Sequence, residues 1–339
     1  MGSRRSLSDT FMKDLKKEGV LHPILEFVQN DDTLCLAIRN NYINIYYRGG
    51  SLMKIFTKGP VNQKTYSISF NAEGYANKNK LLNTLGILGQ GLPKADPTTR
   101  EDVSKWVRDW CENIPKIKAV MDGWLAVSPK PEREFQQLIW RENNRKNDKF
   151  KKTKFNYYFV DVEYTAKDSQ KEKGGRFDML ALRQPNDSEN PAIVSLVEIK
   201  YGEAALSGES GLKEHVKDIC KYLIEKSHKQ DLIEQTRDLY EDQYELGTLL
   251  RGSKGTAPSV CNHSELEIEI LFIFINIPPA SEKLKEVLLE IKGCSEYKAL
   301  LGNGINIKVA KPSGMGYGLY DDNICSLEEF IEELEQKNK

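Results

Sequence analysis

The chain has 339 residues, with 49 Lys and Arg against 50 Asp and Glu, and its formal net charge is −1. This length provides enough material for one large domain or two ordinary ones, each with a buried core. The balanced charge excludes a protein that binds polyanions through its overall charge, so a contact with nucleic acid needs local basic patches.

No targeting segment is evident from the residue pattern. Residues 1–19 lack the apolar core of a signal peptide, and the longest apolar run, residues 270–277, is too short to span a bilayer. We therefore expect a cytoplasmic protein without a membrane segment. The six cysteines form no CxxC pair, and in this compartment they are expected to be reduced thiols.

Residues 1–127 are predicted to form a β-rich α+β region. Four short runs of β-branched and aromatic residues lie between residues 33 and 70. Turn signals separate these runs at residues 40–41, 49–50 and 59–60. The pattern is typical of an antiparallel meander, and helices are expected after it, one of them starting at a capping box in residues 98–101. Whether this region serves recognition, partner binding or packing stays open.

Prolines at positions 129 and 131 interrupt the chain, and we place a domain boundary between residues 127 and 128. The second domain, residues 128–339, has a different order of predicted helices and strands. A helix is predicted first, followed by three strands, two helices, a strongly apolar strand, a helix, a short strand and a charged terminal helix. This order is typical of an α/β domain with a mixed β-sheet flanked by helices.

The strand predicted over residues 193–200 ends in Glu198-Ile199-Lys200. Since side chains alternate along a strand, Glu198 and Lys200 share one face and Ile199 faces the other way. A carboxylate and an ammonium at the end of an apolar strand are costly unless they are paired or have a function. The motif is thus compatible with an ordinary strand-end salt bridge or with a catalytic pair.

A second carboxylate lies in the preceding predicted strand. Asp178 interrupts the apolar run of residues 176–183, where its face also carries Leu180 and Leu182. A hairpin between this strand and the next would bring Asp178 beside Glu198. Two adjacent carboxylates repel each other, and a hard divalent cation with oxygen ligands relieves that repulsion.

Asp178 followed by Glu198-Ile199-Lys200 on adjacent strands, with one helix before and another after them, resembles the PD-(D/E)XK nuclease superfamily. Restriction endonucleases, repair nucleases and Holliday-junction resolvases are members of this superfamily. The resemblance covers residues 131–277 and implies a restriction-endonuclease-like core. Phe177 stands where the name of the motif has proline.

This resemblance implies a metal-dependent nuclease that hydrolyses phosphodiester bonds of nucleic acid, with DNA favoured over RNA. It implies Mg²⁺ or Mn²⁺ as the cofactor, held by Asp178, Glu198 and the carbonyl of Ile199. Lys200 would orient the attacking water and stabilise charge on the phosphoryl oxygens. Standalone members frequently belong to restriction or antiphage systems, and many act as dimers, so a homodimer or another protein partner is compatible with the resemblance.

Members of the superfamily often carry a further acidic residue on the helix before the sheet. Residues 131–134 are similar to the start of the first helix of archaeal junction resolvases, in which the first glutamate is functional. At about 100° per residue, Glu132 falls on the same side as Phe135 and Ile139, which favours Glu132 as a fourth catalytic residue. The other interpretation is a glutamate favoured in the first helical turn by the helix dipole.

A basic segment follows this helix. Between residues 141 and 154 there are seven Lys and Arg against two acidic residues. The candidate nucleic-acid contacts in it are Arg145, Lys146, Lys149, Lys151 and Lys152. They are suited to a phosphate backbone, although a solvated charged loop would have the same composition.

Three further residues are interpreted as structural. Asp161 and Glu163 are expected on the solvated face of an amphipathic strand, and the alternative is that they edge the same cleft as Asp178 and Glu198. His215, on an apolar helical stripe, is expected to be a core or cleft histidine rather than a catalytic one. The alternative to a nuclease is a catalytically inactive protein of the same fold that binds nucleic acid or protein. In that case Glu198 and Lys200 would form only a salt bridge.

Overall fold

The computed structural model describes residues 5–59, 65–70, 96–144, 156–165, 176–183, 192–249, 266–311 and 316–337. Within these residues the chain is a mixed α/β protein with two separate β-sheets. It divides into two compact units. Unit 1 comprises Met1–Arg141 and Glu241–Gly255, and unit 2 comprises Glu142–Tyr240 and Thr256–Lys339.

Unit 1 contains a four-stranded antiparallel sheet with the strand order β1-β2-β3-β4. The meander predicted from the sequence is therefore confirmed. Its elements are α1 (Asp9–Leu15), α2 (His22–Asn30), β1 (Leu34–Arg39), β2 (Tyr42–Tyr47), β3 (Gly50–Lys58), β4 (Thr65–Phe70), α3 (Arg100–Val127) and most of α4 (Pro131–Asn144). The N-cap of α3 is Thr99, whose side chain accepts a hydrogen bond from the N–H of Asp102, as a helix N-terminus requires.

Unit 2 is built on a six-stranded mixed sheet with the order β10-β9-β8-β7-β6-β5. Its elements are β5 (Tyr157–Thr165), β6 (Arg176–Arg183), β7 (Ile193–Tyr201), α5 (Leu212–Cys220), α6 (Lys229–Glu245), β8 (Glu267–Ile275), α7 (Glu282–Gly293), α8 (Ser295–Gly302), β9 (Asn306–Ala310), β10 (Ile324–Ser326) and α9 (Leu327–Lys337). The β7–β8 and β8–β9 pairs are parallel and the other neighbours are antiparallel. The predicted mixed sheet with helices between its strands is thus present.

The division between the units falls later in the chain than the predicted boundary at residues 127–128. It lies between Arg141 and Glu142, inside α4. The reason is that α4 packs in unit 1, where the Gln137 side chain accepts a hydrogen bond from the Gly49 N–H at 2.6 Å and donates to the Tyr46 carbonyl. The last residues of α4 bind within unit 2, where Asn144 exchanges hydrogen bonds with the backbone of Phe159.

The chain returns from unit 2 to unit 1 at Glu241, which was not predicted from the sequence. The end of α6 and the residues after it belong to unit 1. There Asp242 accepts a hydrogen bond from the Leu7 N–H at 2.9 Å, Glu245 pairs with Lys16, and the Leu246 carbonyl accepts from Gln29. Unit 2 is therefore discontinuous in sequence: β5–β7 come before the excursion of residues 241–255 into unit 1, and β8–β10 come after it.

The β8 strand is buried along most of its length, as expected for a strand with parallel neighbours on both sides. Its apolar run is thus a core strand of the sheet. Among the described residues, no helix is both long and apolar enough to cross a membrane.

A polar network ties together four strands of unit 2 at the end where β7 and β8 begin. Arg183 on β6 donates to Glu269 on β8 at 3.0 Å and to Asp321 at 2.9 Å. Tyr157 and Ser195 donate to the other oxygen of Glu269 at 2.9 and 2.6 Å. Burial and the neighbouring negative charge of Glu269 hold the pKa of Tyr157 well above its usual value, so this phenol stays a donor.

The β2–β3 hairpin of unit 1 is held against two helices. Arg48 at its turn donates to Asp122 of α3 at 2.9 Å and to Glu134 of α4 at 3.0 Å. The next residue, Gly49, has φ of +71° and lies against the backbone of Arg133. The turn therefore requires glycine both for its backbone conformation and for space.

Gly49→Ala is expected to lower the free energy of unfolding of unit 1 by about 3 kcal/mol, because left-handed backbone and overpacking both cost energy. The added Cβ would lie 2.2 Å from the Arg133 carbonyl oxygen. Urea unfolding followed by tryptophan fluorescence measures this loss, because all four tryptophans of the chain lie in unit 1. They are Trp106, Trp110, Trp124 and Trp140.

Gly247→Ala is the matched control in the same unit. Gly247 has φ of +65°, but a Cβ there meets only the side-chain nitrogen of Gln29, at 3.2 Å. The loss should then be about 1 to 2 kcal/mol, from the backbone conformation alone. Equal losses in the two variants would contradict the close packing of Gly49 on α4.

Candidate active site

The end of β7 carries the predicted pair of Glu198 and Lys200. The Nζ of Lys200 donates to Oε1 of Glu198 at 2.7 Å, so both side chains lie on the same face of the strand, as alternation predicts. The side chain of Glu198 is only 1 % exposed and that of Lys200 only 4 %. A buried carboxylate and ammonium at a strand end are thus paired with each other, as their desolvation demands.

Asp178 reaches this pair because β6 and β7 separate at its position. The antiparallel ladder between them ends at Met179↔Val197, although β6 continues to pair with β5 as far as Arg176. Beyond the last pair, Oδ2 of Asp178 accepts a hydrogen bond from the N–H of Ile199 at 2.8 Å. The carboxylate therefore replaces a missing ladder bond, and it lies against the backbone between Glu198 and Lys200.

His215 of α5 also contacts Glu198, which the sequence did not predict. Its Nε2 lies 3.0 Å from Oε1 of Glu198, the oxygen that Lys200 also binds. Gly202, with φ of +73°, turns the chain out of β7, and α5 follows with Leu212, Val216 and Ile219 as its buried side chains. Histidine on this apolar stripe is the signal that could have indicated a polar partner in the sheet.

Burial, together with the positive charge of Lys200, lowers the pKa of His215 to about 4, and the backbone of Ser210 opposes part of this shift. The imidazole is therefore neutral near pH 7. Since a carboxylate only accepts hydrogen bonds, Nε2 must carry the proton. A charged His215 would place a second cation beside a carboxylate that Lys200 already neutralises.

Asp161 differs from its predicted solvated position. Its side chain is completely buried. The pairing of β5 with β6 shifts between Phe159 and Asp161, and this bulge leaves residues 159–162 all buried. Glu163 is partly exposed and forms an ion pair with Arg176 at 3.1 Å.

Phe177, which occupies the position of the proline in the motif's name, is a core residue. It is 1 % exposed and packs between the rings of Tyr164 and Tyr222, with centroid distances of 6.0 and 5.5 Å. The side chain anchors the start of β6 immediately before Asp178. An aromatic residue here therefore has a packing role that does not depend on the motif.

The described residues of unit 2 include neither Glu132 nor the candidate nucleic-acid contacts of the basic segment. Glu132 lies partly exposed in the first turn of α4 and belongs to unit 1, whereas Asp178, Glu198 and Lys200 belong to unit 2. Its catalytic role stays a prediction. The predicted nucleic-acid contacts lie outside the described residues: Arg145, Lys146, Lys149, Lys151 and Lys152.

The donor set at the cluster is small. Among the described residues, no group of three or more His, Cys, Asp or Glu side chains is arranged to hold a metal ion. Mg²⁺ typically binds through only one or two carboxylates and completes its shell with water and substrate phosphate. In an extended strand the N–H and C=O of a residue point to the same neighbour, so the Ile199 carbonyl faces the gap beside Asp178. Two carboxylates and this carbonyl would supply oxygen ligands only, which suit Mg²⁺ better than zinc, whose sites are built largely from Cys and His.

Comparison with known proteins assigns the chain to no family. No family model, no curated protein and no solved structure matches it. The case for a function therefore comes from the residues at the ends of β6 and β7.

A separate cavity of about 320 Å³ lies within unit 1. It is formed between the β2–β3 hairpin and one face of α4, with Tyr47, Arg48, Glu134, Phe135, Leu138 and Arg141 among its lining residues. The charged group of Arg48 is bound by Asp122 and Glu134, and Tyr47 donates to Asp122 at 2.9 Å. These contacts give the residues at 46–50, for which the sequence indicates no function, a role in shaping unit 1.

Proposed function

We propose that the chain is a metal-dependent nuclease that hydrolyses phosphodiester bonds of nucleic acid, with DNA as the favoured substrate. The observation that carries the proposal is the position of Asp178, Glu198 and Lys200 where β6 and β7 separate. Asp178 accepts a hydrogen bond from the N–H of Ile199, and Glu198 and Lys200, on either side of Ile199, pair with each other. Two carboxylates and an ammonium are suited to phosphodiester hydrolysis with a divalent cation.

Asp178, Glu198 and the carbonyl of Ile199 are the groups that would hold Mg²⁺ or Mn²⁺. Such an ion, when bound, polarises a phosphate and lowers the pKa of a bound water, which supplies a nucleophile near neutral pH. Asp178 is fixed for this role by the Ile199 N–H, and Glu198 is fixed by its two donors. Glu132 is proposed as a further acidic residue of the site.

Lys200 has the charge-stabilising role in this proposal. Its ammonium is held at the end of β7 by Glu198 and is almost fully removed from solvent. In a site with little water, a positive charge acts strongly on the negative charge that develops on the phosphoryl oxygens. Lys200 would also orient the attacking water.

The topology of unit 2 supports a restriction-endonuclease-like core. The strands β5, β6 and β7 are antiparallel neighbours, and β6 and β7 carry the acidic residues and the lysine. A parallel strand follows on the other side of β7, and helices precede and follow these strands in sequence. A role in restriction or antiphage defence is proposed from the resemblance alone. A homodimer is likewise proposed from the resemblance alone.

The second candidate is a catalytically inactive protein that binds nucleic acid or protein through this fold. One observation favours it: Lys200 and Glu198 form a buried ion pair at 2.7 Å, as a purely structural salt bridge would. Replacing Asp178 by asparagine distinguishes the two candidates, because asparagine can still accept the hydrogen bond of the Ile199 N–H but lacks the negative charge that a metal site needs.

The nuclease is tested by incubating the purified chain with single- and double-stranded DNA and RNA in Mg²⁺, Mn²⁺ or EDTA. Wild type is expected to cut at least one substrate with either metal and none with EDTA. Asp178→Asn should reduce this activity about 100-fold or more, because the neutral amide lacks the negative charge that attracts a divalent cation. Asp218→Asn, an exposed carboxylate on α5, is the matched control and should cut normally.

Each outcome of this assay has a definite meaning. Cleavage that survives in Asp178→Asn would contradict the proposed site. Binding of nucleic acid without cleavage under any of these metal conditions would favour the scaffold.

A further inference from the structure

Glu198 is held by two donors of different kinds. Lys200, on the same strand, and His215, on α5, both bind Oε1, at 2.7 and 3.0 Å. A single hydrogen bond leaves a carboxylate free to rotate about its last side-chain bond, whereas two donors on one oxygen restrict that rotation. The orientation of Glu198 is thus set by the fold of unit 2.

His215 is well placed for this task because it lies on α5, so its hydrogen bond holds the carboxylate from outside β7. A leucine at this position would continue the apolar stripe of Leu212, Val216 and Ile219 but would leave Oε1 with one donor fewer.

We propose that His215 is a positioning residue, whose Nε2–H holds Glu198 in the orientation that binds the divalent cation. This inference rests on the proposed nuclease function. His215 acts through Glu198 and does not touch the reacting atoms. Residues that orient a metal ligand typically contribute about 10- to 100-fold to metal affinity or activity.

Binding of Mn²⁺ alone, measured by isothermal titration calorimetry on the full chain without nucleic acid, tests the inference. His215→Phe keeps a ring of similar volume but lacks the donor, and it is expected to raise the Kd for Mn²⁺ about 10- to 100-fold. His215→Gln keeps an N–H donor of similar reach and should stay within about threefold of wild type. The Mn²⁺ concentration for half-maximal cleavage should shift in parallel.

His228→Phe is the matched control. His228 also lies in unit 2, its side chain is 24 % exposed against 20 % for His215, and it pairs with Asp231 instead of Glu198. Its replacement should leave Mn²⁺ binding unchanged. Thermal unfolding in EDTA shows whether each variant is folded, and the contrast between Gln and Phe at position 215 separates the hydrogen bond from ring packing.

The outcomes separate this inference from the proposed function. Wild-type binding and cleavage with unchanged affinity in His215→Phe would overturn the positioning role and leave the nuclease intact. Equal losses in His215→Phe and His215→Gln would also overturn it, because the donor would then not be the cause. Failure of wild type both to bind Mn²⁺ and to cut would overturn the nuclease and the positioning role together.

Discussion

Lys200→Ala is expected to reduce metal-dependent cleavage by at least about 100-fold, which corresponds to roughly 3 kcal/mol of transition-state stabilisation. The ammonium is 4 % exposed and bound to Glu198, so its charge acts in a site with little competing water. Alanine leaves neither a charge nor a donor in this place. The loss should appear mainly in kcat, because Lys200 is proposed to act on charge that develops during the reaction.

Single-turnover cleavage at saturating Mg²⁺, together with the Kd for uncleaved nucleic acid in EDTA, measures the two effects separately. Lys213→Ala is the matched control, since Lys213 forms an exposed ion pair with Glu290 on the surface of unit 2. That variant should keep its cleavage rate within about twofold, as expected for an exposed pair. If Lys200→Ala weakened nucleic-acid binding in EDTA as much as it slowed cleavage, Lys200 would be a binding residue and not a catalytic one.

Arg183→Met is expected to lower the free energy of unfolding of unit 2 by about 3 to 5 kcal/mol, because it leaves Glu269 as a buried and uncompensated charge. Arg183 binds both Glu269 and Asp321, and the Glu269 side chain is 4 % exposed. Methionine retains much of the volume of arginine, so lost packing contributes little. Amide hydrogen exchange of β6 and β8 measures the loss within unit 2.

Two further variants identify the cause of that destabilisation. Arg183→Met combined with Glu269→Gln should recover at least half of the stability, because the buried charge is then removed. Arg176→Met, at the other end of β6, breaks an ion pair whose arginine side chain is 63 % exposed, and it should cost less than about 1 kcal/mol. A similar cost for Arg183→Met would show that the network adds little to stability.

The parts of the fold that local patterns determine could be predicted from the sequence. The meander of unit 1 follows from apolar runs between turn residues, and the pairing of Glu198 with Lys200 follows from alternation along β7. Asp178 stands out in the sequence because a carboxylate in an apolar strand costs energy unless it has a partner or a function, and its role at the proposed site stays a prediction. Each of these depends on residues close together in sequence.

The features that could not be predicted depend on contacts distant in sequence. The bulge at Val160 changes the alternation of β5, so the buried position of Asp161 has no signal in the residue pattern. His215 reaches Glu198 through the turn that follows β7, which periodicity alone does not describe. The assignment of α4 to unit 1 similarly depends on Gln137 binding a hairpin that lies far before it in the chain.

The excursion of the chain into unit 1 between β7 and β8 constrains the order of folding during synthesis. Unit 1 uses Asp242 and Leu246 as partners for Leu7 and Gln29, so it is incomplete until the ribosome has passed the first three strands of unit 2. The sheet that contains these three strands cannot be completed until β8, the parallel partner of β7, has been synthesised. The nascent chain therefore carries β7 for a time as an uncovered apolar edge, which is where a chaperone or an aggregating neighbour would bind.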